Sequence, residues 1–179
     1  MGIASKERAV ELELKNCTVR SYRPEDAGSL AAYADNRKIW QNLRDGFPHP
    51  YTIDHAKEFI RRALRADPET NFAVCVDGAA AGGIGFTLHT DVERISAEIG
   101  YWLGEPFWGR GIMTEALRAV TRYAVERHHL HRIYAVPYEP NKASHRVLEK
   151  AGYRLEGRMH KSALKDGKII DQFLYAFVV

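Results

Sequence analysis

A chain of 179 residues is long enough for one domain with a sizeable core. Its 45% hydrophobic and 27% charged residues are ordinary for a soluble globular protein, and a net charge of +3 suits an anionic ligand without arguing for nucleic acid. Cys17 and Cys75, without metal-ligand spacing, read as free thiols of a reducing compartment, and no apolar run approaches the roughly 18–20 residues of a membrane span or forms a signal peptide, so a cytoplasmic protein away from membranes is expected.

Residues 1–13 are charged and mixed and read as an N-terminal arm before a domain at 14–179. Leu14 to Tyr22 alternates as a strand, which Pro24 stops; Glu25-Asp26 then place acid in the first turn of a helix reaching about Asn36. A loop rich in Pro, Gly and Asn occupies 42–51. Thr52 or Asp54 can cap the next helix, about 54–66, where Ala56, Phe59, Ile60, Ala63 and Leu64 recur at helical spacing. Strands follow at 72–76, 80–88 and 95–103, the first two joined by the hairpin dipeptide Asp77-Gly78. On the third, Ala97, Ile99, Tyr101 and Leu103 share one face, and Glu98, Gly100 and Trp102 share the other.

Met113, Ala116, Leu117, Val120 and Ala124 form the core stripe of a helix ending near Arg127. A strand at 132–136 leads to a helix at 142–151, capped by Asn141 and stopped by Gly152. A hairpin closes the chain, 153–164 and 169–179 around Asp166-Gly167. The order predicts one α/β domain with a mixed central sheet of about seven strands flanked by helices.

The segment Trp108-Gly109-Arg110-Gly111-Ile112-Met113 has the make-up of an anion-binding loop. Its glycines admit backbone angles other residues resist, and the helix that starts at once offers unpaired first-turn amides and a favourable dipole. A tight turn that binds nothing has the same composition. The Lys-Ser/Thr ending of an ATPase phosphate loop and the third glycine of a dinucleotide fingerprint are both absent. His128, His129 and His131 cluster with Arg127 and Arg132, which favours a helix C-terminus over a metal site, so no metal is expected.

Tyr101-Trp102-Leu103 followed by Trp108-Gly109-Arg110-Gly111-Ile112-Met113-Thr114-Glu115-Ala116-Leu117 resembles the cofactor loop of GCN5-related N-acetyltransferases, the GNAT family. Asn141-Lys142-Ala143-Ser144 with Val147-Leu148-Glu149-Lys150-Ala151-Gly152-Tyr153 resembles the family's second cofactor motif, and the 42–51 loop resembles the branch of the ribosomal-protein alanine acetyltransferases. Trp108 and Met113 depart from the usual loop, where a basic or amide residue and a small one stand; Gly111 is kept.

The resemblance implies a GNAT-type domain using acetyl-CoA as cosubstrate. It implies a pyrophosphate on the backbone of Trp108, Gly109, Arg110, Gly111, Ile112 and Met113, and a pantetheine arm bonded near Trp102 and Leu103. Asn141 would reach that arm, or serve only as a helix N-cap. Glu98 matches the family's base position; the alternative is a polar residue paired with a neighbour or solvent. The tyrosine many relatives carry seven residues after the motif's Asn is Leu148 here, and the branch implies Ser144 as the hydroxyl facing the departing thiolate, a role that competes with service in the first helical turn. Arg44, Asp45, His49 and Tyr51 are candidate acceptor contacts or loop packing.

The expected reaction is direct transfer of acetyl to a primary amine. An α-amine, with pKa about 7.7–8.0 against about 10.4 for lysine, is a few hundredfold more available in neutral form at pH 7. A protein N-terminus is therefore the leading acceptor. A small amine (amino acid, polyamine or antibiotic), or a CoA-binding regulatory role with little catalysis, are the alternatives. The resemblance admits a homodimer.

Overall fold

The structure, a computed structural model, describes residues 9–179. Residues 1–8 of the expected arm lie outside the described residues. The chain opens with β1 (Glu11–Glu13) and β2 (Thr18–Ser21), paired antiparallel across a turn closed by the Leu14 amide on the Cys17 carbonyl. The strand expected at 14–22 is thus half of a hairpin. Lys15-Asn16 reverse the chain, and the end of the arm joins the sheet, which raises the strand number to eight.

A short 3-10 turn, Pro24–Asp26, leads into α1 (Ala27–Ala34) and then α2 (Arg37–Trp40). The second of these was not expected; Asn36 stops one helix and caps the next, its side chain accepting from the Lys38 amide at 2.8 Å. Helix α3 (Ile53–Arg65) starts at Thr52, whose side chain accepts from the His55 amide. Strands β3 (Asn71–Val76), β4 (Ala79–Leu88) and β5 (Ser96–Leu103) follow. Helix α4 (Ile112–His128), β6 (Arg132–Ala135), α5 (Lys142–Ala151), β7 (Arg154–Lys165) and β8 (Lys168–Val178) complete the chain.

The sheet runs β1-β2-β3-β4-β5-β6-β8-β7. Every neighbouring pair is antiparallel except β5 and β6, which helix α4 connects in parallel. That pair sets the architecture of the site. Its ladder runs only from Ser96↔Arg132 to Glu98↔Tyr134, while β5 continues along β4 to Leu103. The two strands splay and open a gap in mid-sheet.

Both faces are covered. Ile112, Leu117, Val120 and Leu148 from α4 and α5 bury on one face, and Tyr22, Leu30, Tyr51 and Ile60 from the α1 and α3 side on the other. Burying each such side chain contributes roughly 1.5–3 kcal/mol. Leu148 is wholly buried, so the place of the family's tyrosine is taken by core packing.

Candidate active site

A cleft of about 1030 Å³ occupies the splay. The end of β5, the turn into α4 and the start of α5 line one part; β4, α3 and the loop after α2 line the other. The opening is a product of topology, because a parallel ladder that stops short leaves backbone groups of the longer strand without a partner.

The glycine loop forms one end. Gly109 and Gly111 adopt φ of +76° and +78°, in the left-handed region where a side chain is costly. Gly111 is the N-cap of α4 and supplies no side-chain bond. Among the described residues, the amides of 109–114 have no hydrogen-bond partner; the first satisfied amide is Glu115, on the Gly111 carbonyl at 3.1 Å. A run of free amides at the start of a 17-residue helix is a strong local anion site.

Trp108 has a structural role here. Its indole Nε1 donates to the Leu103 carbonyl at 2.7 Å, fastening the loop to the strand end. This modifies the expectation for Trp102 and Leu103. The Leu103 carbonyl is taken, and Trp102 pairs across to Gly83 on the β4 side. By strand alternation the backbone of Tyr101 and the amide of Leu103 face the gap. Arg110 is exposed, with its guanidinium over the Phe107 ring at 5.6 Å, and is not among the cleft walls. Ile112 and Met113 are buried, so only their backbone is offered to a ligand at the loop.

Glu98 and Ser144 both line the cleft. Glu98 is held in an ion pair by Arg44, whose own side chain is mostly exposed. The loop after α2 thus lays a cation directly on the candidate base. Ser144 Oγ lies 2.8 Å from the Tyr101 hydroxyl, joining the first turn of α5 to β5. Burial pushes the Tyr101 phenol well above its usual range, which keeps it a neutral donor. Asn141 accepts from the Ser144 amide through Oδ1 at 3.2 Å. The helix-cap role is therefore present, and the side-chain amide nitrogen of Asn141 remains available at the cleft wall.

The four candidate acceptor residues divide. Arg44 and Tyr51 line the cleft. Tyr51 is buried in the α1–α3 core with its ring 4.8 Å from Phe47, so packing dominates its environment. Asp45 points the other way, accepting from Lys165 Nζ at 2.7 Å. His49 stacks on Trp40 at 5.6 Å and approaches Asp35 at 3.4 Å. Asp45 and His49 are thus loop anchors, absent from the cleft walls.

Two residues of the site had no signal in the pattern. Tyr101 stands in the sequence as a strand position and as the first residue of the Tyr101-Trp102-Leu103 motif, with no role assigned to its hydroxyl. Lys165, 4% exposed in its side chain, sits 3.7 Å from the Trp40 ring centroid and reaches Asp45, tying the terminal hairpin to the 42–51 loop. Nothing local distinguishes it from other lysines of β7. Cys17 and Cys75 are free and buried, lie outside the cleft walls, and burial pushes both thiols up to about 11.

Residues 16–154 match the family model of the acetyltransferase (GNAT) domain. A probable N-acetyltransferase of Bacillus subtilis, YjcK, is 47% identical over 166 residues, covering 87% of this chain and 90% of that protein. The [ribosomal protein uS5]-alanine N-acetyltransferase of Escherichia coli is 31% identical over 183 residues, covering 98% and 94%. The solved structure of Mycobacterium smegmatis RimJ in complex with CoA-disulfide superimposes with a TM-score of 0.83 at 24% identity, covering 96% of this chain and 87% of that one, and so shares the fold. With the free-amide loop and the splayed strands in place, these matches make the chain a member of the GNAT acetyltransferase family, in the branch similar to the ribosomal-protein alanine N-acetyltransferases.

Proposed function

We propose that this acyltransferase moves the acetyl group of acetyl-CoA to the α-amine of a protein or peptide N-terminus by direct attack in a ternary complex. One observation carries the reading: a single cleft joins a run of free amides to the Glu98 carboxylate and the Ser144 hydroxyl. The amides of 109–114 and the left-handed glycines fit a diphosphate, and acetyl-CoA would supply the activated thioester when bound. The Escherichia coli relative is named as an alanine N-acetyltransferase of ribosomal protein uS5, and the Mycobacterium smegmatis RimJ structure holds CoA-disulfide; both support the reading.

In this reading Glu98 takes the proton of the attacking amine, directly or through a water. The Ser144 hydroxyl donates a hydrogen bond to the departing thiolate. The amide of Tyr101 at the open edge of β5 is placed to polarise a carbonyl. Neither thiol suits a covalent relay, since both are buried, outside the cleft walls and held protonated. An N-terminus as acceptor places the enzyme in the compartment where proteins are made, the cytoplasm.

The test is thiol release from acetyl-CoA against a panel of N-terminal peptides, amino acids, polyamines and aminoglycosides. The highest kcat/KM on peptides beginning with alanine or another small residue is expected. Preference for a polyamine or an antibiotic would reassign the acceptor, and CoA binding without turnover on any amine would replace the enzyme by a regulatory protein.

A further inference from the structure

The α1–α3 side of the cleft contains an unexplained polar pair. Tyr22 is only 3% exposed, lines the cleft, and its hydroxyl has no hydrogen-bond partner among the described residues. Its ring is held edge-on by Phe59 at 5.3 Å. The indole nitrogen of Trp102 is likewise without a partner among the described residues and lines the same cleft. Both point over Gly83 of β4: a Cβ built there would lie 2.5 Å from the Tyr22 hydroxyl and 2.9 Å from Trp102 Nε1. Among the described residues only His128 Nε2 is a fully enclosed unpaired side-chain atom, so the Tyr22 hydroxyl and the Trp102 indole nitrogen both open onto the cleft and are free to donate to whatever fills it. Burial pushes the Tyr22 phenol far above its usual range, so it stays protonated, and an indole N–H can only donate.

We infer that Tyr22 and Trp102 form a two-donor site for an oxygen atom of the amine acceptor, and that this site selects acceptors carrying a peptide carbonyl over plain alkyl amines. The inference rests on the acetyltransferase reading of the cleft and specifies its acceptor end.

The floor between this pair and the base supports it. Glu98, Gly100 and Trp102 follow one another on the same face of β5, and Gly85 stands opposite Gly100 on β4. A Cβ at Gly100 would meet nothing within 4 Å. The strand therefore leaves a bare trough from Glu98 to Trp102, about 13 Å between their Cα atoms at the usual rise. An extended chain advances about 3.3–3.6 Å per residue. With its amine at Glu98, a peptide would present a carbonyl of its third or fourth residue to Tyr22 and Trp102. The Asn71 side-chain oxygen packs against Gly85 midway and offers an acceptor for a peptide N–H. The protonated nitrogens of a polyamine at neutral pH are donors only and cannot satisfy two donors.

The experiment measures binding and turnover separately. Ala-Ala-Ala-amide and n-butylamine are titrated calorimetrically into the CoA-loaded wild type, Tyr22→Phe and Trp102→Phe, and kcat/KM for each amine is taken with acetyl-CoA. Each variant keeps an aromatic ring and loses the donor. The expected result is an approximately tenfold weaker tripeptide Kd in each variant, with a smaller loss in butylamine kcat/KM than in tripeptide kcat/KM. The double variant should lose less than the product of the two, since one oxygen takes both bonds. Equal losses for both amines, an unchanged tripeptide Kd, or no measurable tripeptide binding to the wild type overturns the oxygen site. Absence of turnover with every amine would instead sink the acetyltransferase reading, while the calorimetry still decides the site.

Discussion

The Tyr101 hydroxyl and Ser144 Oγ, 43 residues apart in sequence, lie 2.8 Å apart across the wall of the cleft. If the phenol donates, the serine proton is left free to point into the cleft toward a thiolate. Tyr101 is then a positioning residue for Ser144. Tyr101→Phe is expected to lower kcat about tenfold with the KM for acetyl-CoA little changed, Ser144→Ala should do the same, and the double variant should be no worse than either. Steady-state kinetics on the three variants checks this; additive losses would separate the two hydroxyls.

Arg44 is ion-paired with Glu98, the proposed base. As general base, Glu98 is expected to contribute on the order of 10²-fold, so Glu98→Gln should lower kcat/KM by about that factor. The loss should be steepest below neutral pH, where an α-amine of pKa about 7.7–8.0 is mostly protonated. Arg44→Ala should retain activity. An unchanged pH profile in Glu98→Gln would remove it as base.

Lys165 is a buried cation between the Trp40 ring and the Asp45 carboxylate. Lys165→Met should cost about 2 kcal/mol and loosen the loop that carries Arg44. The expected signature is a several-fold rise in acceptor KM with the acetyl-CoA KM unaffected, alongside a lower Tm. A lower Tm with both KM values unchanged would confine Lys165 to stability.

Gly111 caps α4 at φ +78°, and a Cβ there would meet nothing within 4 Å. Any effect of Gly111→Ala is therefore backbone strain of about 1–2 kcal/mol, without a clash. The free amides would shift to relieve it. CoA should bind about tenfold more weakly by calorimetry, whereas Gly46→Ala, at an open site with ordinary φ, should leave CoA affinity as it was.

Asp26 and Arg20 form a buried bidentate pair, with bonds of 2.7 and 2.8 Å. Burial raises the Asp26 pKa, but the bonds from Arg20 and the Arg23 amide outweigh it, and the net direction is down. A depressed carboxyl stabilises the fold above its unfolded value of about 3.9, and that contribution is lost as pH falls through the lower folded value. Urea unfolding from pH 7 to 2.5 should show the loss. Asp26→Asn should cost about 3 kcal/mol at pH 7, since it strands Arg20, and should flatten the acid limb.

The elements themselves were legible. The stripe Met113, Ala116, Leu117, Val120, Ala124 gave α4 its length, and Asn141 and Gly152 bracket α5 at both ends. The hairpin turns at Asp77-Gly78 and Asp166-Gly167 lie where the dipeptides put them, with both residues of each at positive φ. The glycine loop and the downstream Asn-x-x-Ser were readable as motifs resembling the family's, and the family match agrees with that membership. Two early features were misread for local reasons. Alternation over 14–22 hid the reversal at Lys15-Asn16, and the four-residue α2 is too short to show a period.

By itself the sequence determined the α/β class, the helices and turns, and the family. Those depend on dihedral preference, capping and periodicity, which act over a few neighbouring residues. Only the tertiary structure decided who meets whom. It brought Arg44 to Glu98 across 54 residues and Lys165 to Asp45 across 120. It also turned Asp45 and His49 away from the cleft and aimed Tyr22 into it. Such pairings follow from strand order and register, above all from the short β5–β6 ladder, and no local pattern encodes where a ladder stops.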